Sequence, residues 1–259
     1  MKEILQKDGF ICDMDGVIYH GNKILDGVAE FINWMIESGK KFVFLTNSSE
    51  RTPHELSMKL QRMGLTVDAD HFYTSAMATA EFLSSQKPGC TAYVIGEAAL
   101  TKALYDLGIY MNDVNPDYVV VGETRTYSFE KIEKAIELVN KGAKLIGTNP
   151  DITGPTEKGI APATGALIAP IEIACNKKAY FVGKPNPLML RHGLNKLGCH
   201  SHEIAFVGDR MDTDIIAGIE SNVDTVLVLS GVTRLEDIDS FPYRPRYILS
   251  GVGELVKGE

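Results

Sequence analysis

Two aspartates, Asp13 and Asp15, stand two residues apart in "FICDMDGVIYHG", directly after an apolar run and directly before Gly16. On extended backbone alternate side chains share a face, so both carboxylates can point the same way. Gly16 permits a sharp turn at that place. Carboxylates this near repel each other unless a cation neutralises them or one keeps its proton. A hard divalent ion such as Mg²⁺ suits oxygen ligands of this kind. Asp209, in "VGDRMDTD", supplies a third carboxylate and Asp214 a fourth nearby. Thr46 and Asn47, in "LTN", are neutral donors, and Lys184, between Gly183 and Pro185, is a lone cation. Together these residues describe a site for a phosphoryl group. The metal and the lysine offset charge on its oxygens, and the neutral donors orient them.

Each piece has an ordinary reading when taken alone. A D-x-D can be a turn or a helix cap, "LTN" a loop, and a lysine after glycine a solvated charge. "GDRMDTD" can be an acidic helix start. Their joint occurrence, each just past an apolar run, is what favours a site.

The surrounding pattern predicts how these residues are positioned. Short runs rich in Val, Ile and Phe ("FIC", "KFVFLTN", "AYVIG", "YVVVG", "KLIGTN", "AYFVGK", "IAFVGD", "TVLVLSG") alternate with helical spacing. In "GVAEFINWMIESGK", for example, Val28, Phe31, Ile32, Met35 and Ile36 recur on one helical face, and Gly39 can close the helix. Trp34 is read as core on the same helix. Near-continuous apolar strands separated by helices argue for an α/β fold with a parallel sheet covered on both faces. In such sheets ligands bind outside the carboxyl ends of the strands. Two of the polar groups precede residue 50 and two follow residue 180. The stretch between has strands and helices of its own and reads as an inserted α/β module. The expected division is a core of residues 1–79 and 179–259 around an insertion at 80–178.

The 259 residues suffice for such an arrangement, and 44% apolar with 23% charged residues is ordinary for a globular protein. A formal charge of −8 argues against nucleic acid or an anionic membrane surface as partner. "MKEILQKDGF" has neither the apolar region nor the cleavage site of a secretion signal, and "GALIAPIEIAC" is too short to span a bilayer. Cys12, Cys90, Cys175 and Cys199 are scattered, with no C-x-x-C pair. The expectation is a cytoplasmic protein with reduced, mostly buried thiols.

D-x-D-G after an early strand, "LTN", a late "GKP" and "GDxxxTD" resemble the four motifs of the haloacid dehalogenase superfamily. "YTSAMATAEFL", "NPDYVVVGETRTY", "TNPD", "GALIAPIE" and "LVLSGVT" are similar to its NagD-type branch of sugar and nucleotide phosphatases. The resemblance covers essentially the whole chain. It implies a Rossmannoid core with a large α/β cap of the C2 type. It implies that Asp13 attacks phosphorus and that Asp15 protonates the leaving alcohol, then takes a proton from water. It further implies Mg²⁺ held by Asp13, the main-chain carbonyl of Asp15, and Asp209, with Asp214 in support. Thr46, Asn47 and Lys184 would bind the phosphoryl oxygens. Arg125, Asn149, Asp151 and Thr164, in the expected cap, are candidates to touch the rest of the substrate, against a reading as turn chemistry. The implied activity is hydrolysis of a small phosphorylated metabolite, a nucleoside monophosphate such as UMP or a sugar phosphate. A cap of this kind also allows a homo-oligomer. A second aspartate at position 15 favours phosphoryl transfer over dehalogenation. The competing function is a receiver-type phosphoacceptor switch, which also combines acids, a threonine and a lysine on a doubly wound sheet. Its domain is about half this length and lacks a cap.

Overall fold

The computed structural model describes residues 2–156 and 159–256. The chain divides into two compact units. The first comprises Met1–Thr46, Leu56–Tyr73 and Lys184–Glu259, and the second Asn47–Glu55 with Thr74–Gly183. Asn47–Glu55, inside the stretch expected for the core, makes its contacts in the second unit.

A six-stranded sheet organises the first unit, in the order Tyr247–Leu249, Asp224–Val228, Ile204–Gly208, Gly9–Cys12, Lys41–Thr46, Phe72–Thr74. Gly9–Cys12 pairs parallel with both of its neighbours, Cys12 standing opposite Val207 on one side and Phe44 on the other. Every residue of Gly9–Cys12 and of Ile204–Gly208 is buried. A strand covered on both faces has no position left for polar alternation, so these segments read as unbroken apolar runs. The helix Val28–Glu37 buries Val28, Phe31, Ile32, Trp34 and Met35. Phe10 meets Phe31 and Trp34 edge-on, with ring centroids 5.7 and 5.6 Å apart. Ile36, expected on this face, is 56% exposed. On a helix of 3.6 residues per turn Trp34 and Ile36 lie at opposite edges of the buried stripe, and it is the Trp34 edge that packs against Phe10 and Phe31. After Gly9–Cys12 the chain builds first toward Lys41–Thr46 and later toward Ile204–Gly208 on the opposite side. The strand order therefore reverses at Gly9–Cys12, and such a reversal leaves a crevice at the carboxyl ends of the strands.

The second unit has its own five-stranded sheet, ordered Tyr180–Phe181, Lys144–Gly147, Tyr118–Val121, Thr91–Ile95, Tyr110–Met111. All its pairings are parallel. Helices Phe129–Asn140 and Thr164–Cys175 cover one face through Ala135, Leu138, Val139, Leu167, Ile168 and Ile171. An antiparallel pair, Thr153–Thr156 with Gly159–Pro162, precedes the second of these helices. Among the described residues no helix is long and apolar enough to cross a membrane. Cys12 and Cys90 are buried, whereas Cys175 and Cys199 are half-buried.

Candidate active site

Asp13, Lys184, Asp209 and Asp214, all named from the sequence, meet in the first unit at the carboxyl end of its sheet, where Thr46 ends a neighbouring strand. Asp13 prolongs its strand by one rung, its N–H donating to Val207 O at 2.8 Å. Asp209 follows Ile204–Gly208 directly, and Thr46 ends Lys41–Thr46. Lys184 arrives differently. The apolar run before it, "AYFVG", forms Tyr180–Phe181 in the sheet of the second unit, so Lys184 does not cap a strand of the core sheet. It is nonetheless fully buried in the first unit. Its Nζ donates to Asp13 Oδ1 and Asp214 Oδ1, each at 2.7 Å, and to Leu45 O at 3.3 Å.

Asp214 lies on the turn Met211–Ile215, and its other oxygen accepts from the N–H groups of Asp209 (3.2 Å) and Arg210 (3.1 Å). It thus joins the lysine to the main chain that carries Asp209. Asp209 Oδ2 accepts from Val232 N–H at 2.7 Å. The loop that supplies this bond lies in "LVLSGVT", which carries part of the family resemblance but in which no residue was given a role from the sequence. Its Gly231 is required by close approach, because a Cβ there would lie 2.0 Å from Asp209 Oδ2. Gly16 approaches the same oxygen closely as well. Its φ is 81°, and a Cβ on it would come within 2.5 Å of the same atom.

Asp13, Asp209 and Asp214 bring carboxylate oxygens within 4.8 Å of one another. Burial pushes the Asp13 carboxyl up to about 7; the Lys184 ammonium opposes that push, and Asp214 and Asp15 add to it. Burial also raises Asp209 well above the ordinary carboxylate range, with Asp214 and Asp13 adding to it. For Lys184 burial by itself favours the neutral amine, but the Asp13 and Asp214 carboxylates outweigh it and hold the ammonium above its usual range. One ammonium among three carboxylates leaves negative charge uncompensated. Asp209 Oδ1 is moreover buried with no hydrogen-bond partner among the described residues. An orphaned carboxyl oxygen in an all-oxygen cluster fits a hard divalent cation. The Asp15 carboxylate is not part of this cluster. It is half-buried and accepts from the Tyr19 hydroxyl at 3.2 Å.

The other candidates lie in the second unit. Asn47 Nδ2 and Asn149 Nδ2 both donate to Asp151 Oδ2, each at 2.8 Å. Thr148 Oγ1 donates to Asn149 Oδ1 (3.2 Å) and lies 3.1 Å from Thr164 Oγ1. Asn47, Asn149, Asp151 and Thr164 therefore form one polar network, with Thr164 wholly buried at a helix start. Arg125 stands apart from it; its side chain is exposed and reaches Glu50 at 3.7 Å. Glu123 went unnoticed in the sequence because nothing in "GETRTY" marks an acid as enclosed. It is half-buried and accepts from Ser48 Oγ (3.0 Å) and Ser49 N–H (3.1 Å). Its own N–H donates to Ser49 Oγ at 3.2 Å. Burial, with the Glu50 and Asp151 charges, pushes its carboxyl up to about 7 despite the hydrogen bonds from Ser49 and Ser48.

The sheet of the first unit thus presents carboxylates and a buried lysine at its switch point. The family model described as haloacid dehalogenase-like hydrolase matches residues 10–110, and a second model for HAD-like hydrolases matches residues 181–255. The chain belongs to the haloacid dehalogenase-like hydrolases, in their NagD-type phosphatase branch. It is 47% identical to the ribonucleotide monophosphatase NagD of Escherichia coli K12, over 95% of this chain and 96% of that protein. The solved structure of NagD superposes with a TM-score of 0.91 at 46% identity, covering 96% of this chain and 98% of the other. A dihydroxyacetone phosphatase of Corynebacterium glutamicum is 45% identical over 95% of this chain and 90% of its own. The 4-nitrophenylphosphatase of Thermotoga maritima has a TM-score of 0.94 at 35% identity, covering 98% of both chains.

Proposed function

We propose that the chain hydrolyses small phosphomonoesters through an aspartyl-phosphate on Asp13, with Mg²⁺ as cofactor. Asp13, the main-chain carbonyl of Asp15, and Asp209 would hold the ion, which offsets the charge that keeps a carboxylate from approaching an anionic phosphate. Asp13 attacks phosphorus and the bond to the ester oxygen breaks. The departing alkoxide takes the proton of the Asp15 carboxyl. Asp15, now a carboxylate, takes a proton from water; the resulting hydroxide attacks phosphorus and the Asp13 carboxylate leaves. One acid–base group so serves both steps. Lys184 and Thr46 bind phosphoryl oxygens, together with Asn47, the residue that follows Thr46. Asp214 keeps Lys184 charged and in place.

The observation that carries this reading is the bridge of Lys184 between Asp13 and Asp214, which aims a buried cation at the proposed nucleophile. The names of the relatives point to nucleoside monophosphates and triose phosphates as substrate classes. Steady-state hydrolysis of p-nitrophenyl phosphate with Mg²⁺, followed by a panel of these esters, tests it. Continuous turnover is expected. A receiver-type switch would take up one phosphoryl group per chain and stop.

A further inference from the structure

The turn that carries Asp15 is closed by Tyr19. Gly16 N–H donates to Tyr19 O at 2.9 Å, and the N–H groups of Val17, Ile18 and Tyr19 converge on Met14 O. The Tyr19 side chain returns to the same turn, its hydroxyl donating to Asp15 Oδ2 at 3.2 Å. Its ring is buried. Over the face of that ring lies the Lys59 ammonium, 3.5 Å from the centroid, on the helix Pro53–Arg62. Tyr19 and Lys59 both belong to the first unit.

We propose that Tyr19 is a positioning residue for Asp15 and that Lys59 strengthens it in that role; the inference rests on the reading of Asp15 as the acid. A carboxyl group can pass its proton from either oxygen, and a freely rotating one spends part of its time misaligned. The phenol claims Oδ2 and so assigns proton exchange to Oδ1. A cation on the π face draws electron density from the ring and makes the hydroxyl a better donor. Tyr19 touches no reacting atom in this account, and its effect passes wholly through Asp15.

This arrangement bears on leaving groups unequally. An alkoxide cannot depart without a proton, whereas p-nitrophenolate can. The test compares kcat/KM, which reports only the steps through alcohol release, for p-nitrophenyl phosphate and glycerol phosphate with Mg²⁺ present. Tyr19→Phe removes a single oxygen, and its thermal unfolding is checked beside the native protein. Loss of a hydrogen bond to a charged group corresponds to about tenfold in rate. Tyr19→Phe is therefore expected to lose about tenfold or more on glycerol phosphate and much less on p-nitrophenyl phosphate. Lys59→Met should shift the ratio the same way by less. Asp15→Asn is the reference and should show the largest ratio. If Asp15→Asn discriminates between the esters and Tyr19→Phe does not, the positioning role is overturned. If Asp15→Asn itself fails to discriminate, the acid assignment of Asp15 is wrong and the inference falls with it. An unaltered ratio in Lys59→Met overturns the part given to Lys59.

Discussion

The Lys184 ammonium lies 2.7 Å from Asp13 Oδ1 across 171 positions of sequence. Neither charge is affordable alone at this depth, since an unpaired buried ion costs several kcal/mol. With Asp214 as its second carboxylate partner, also at 2.7 Å, the lysine is held in place beside the proposed nucleophile.

Replacing Asp13 by Asn keeps the shape of the side chain and removes the proposed nucleophile. The variant is expected to fold normally and to release no p-nitrophenol from its phosphate ester. Near-native rates would falsify the assignment of Asp13.

Lys184→Met leaves Asp13 and Asp214 buried without their common partner. A loss of roughly 3–5 kcal/mol is expected from breaking a buried pair on one side only. Urea unfolding without added metal measures it, and turnover should vanish in parallel. An unchanged urea midpoint would mean that this contact holds nothing together.

Chelation gives a prediction about the cluster as a whole. Dialysis against EDTA should silence the enzyme, and Mg²⁺ should restore it. Full activity in chelator would count against a metal role for Asp209 and its orphaned oxygen. Gly231→Ala addresses the same point through the protein, because its added carbon would collide with Asp209 Oδ2 at 2.0 Å. Disturbing a residue that orients a ligand typically costs about 10–100-fold, so half-maximal activity should require about tenfold more Mg²⁺ or beyond. An unshifted Mg²⁺ titration would show that Asp209 needs no such close packing.

Glu123 yields a pH-dependent effect on stability. Its carboxyl rises from 4.5 in the unfolded chain to about 7 in the folded one, chiefly through burial. The protonated acid is thus the form that folding favours. The stability it contributes is complete below about pH 4.5 and is lost as the pH climbs through about 7. At about 1.4 kcal/mol per pKa unit the change is on the order of 3 kcal/mol. Glu123→Gln stays neutral throughout. The native-minus-variant difference in unfolding free energy should fall across this window, and a flat difference would refute the assignment.

Asp13, Asp209 and the sheet that presents them were legible because an apolar run that ends in a carboxylate violates its own pattern. Lys184 was legible as a residue but not in its route, since the strand before it belongs to the other unit's sheet. A run of Val and Phe does not say which sheet it joins. The role of Gly231 was hidden because a glycine in an S-G turn looks the same whether or not a carboxylate presses on it. Tyr19 and Lys59 lie far apart in sequence, and only packing brings an ammonium onto a ring. Glu123 looked like any acid in a polar loop until its enclosure by Ser48 and Ser49 was visible. Local spacing records chemistry that neighbours in sequence share. Contacts made through tertiary structure leave no such record.

The chain passes between the two units four times, at the Thr46–Asn47, Glu55–Leu56, Tyr73–Thr74 and Gly183–Lys184 peptide bonds. Two adjacent residues of one motif thus belong to different modules. Anyone who grafts a foreign second unit onto this scaffold at its natural seams would import that donor's counterpart of Asn47, while Thr46 and Lys184 stay behind. A chimera meant to keep the "LTN" motif of one parent intact should therefore be cut after the asparagine rather than before it.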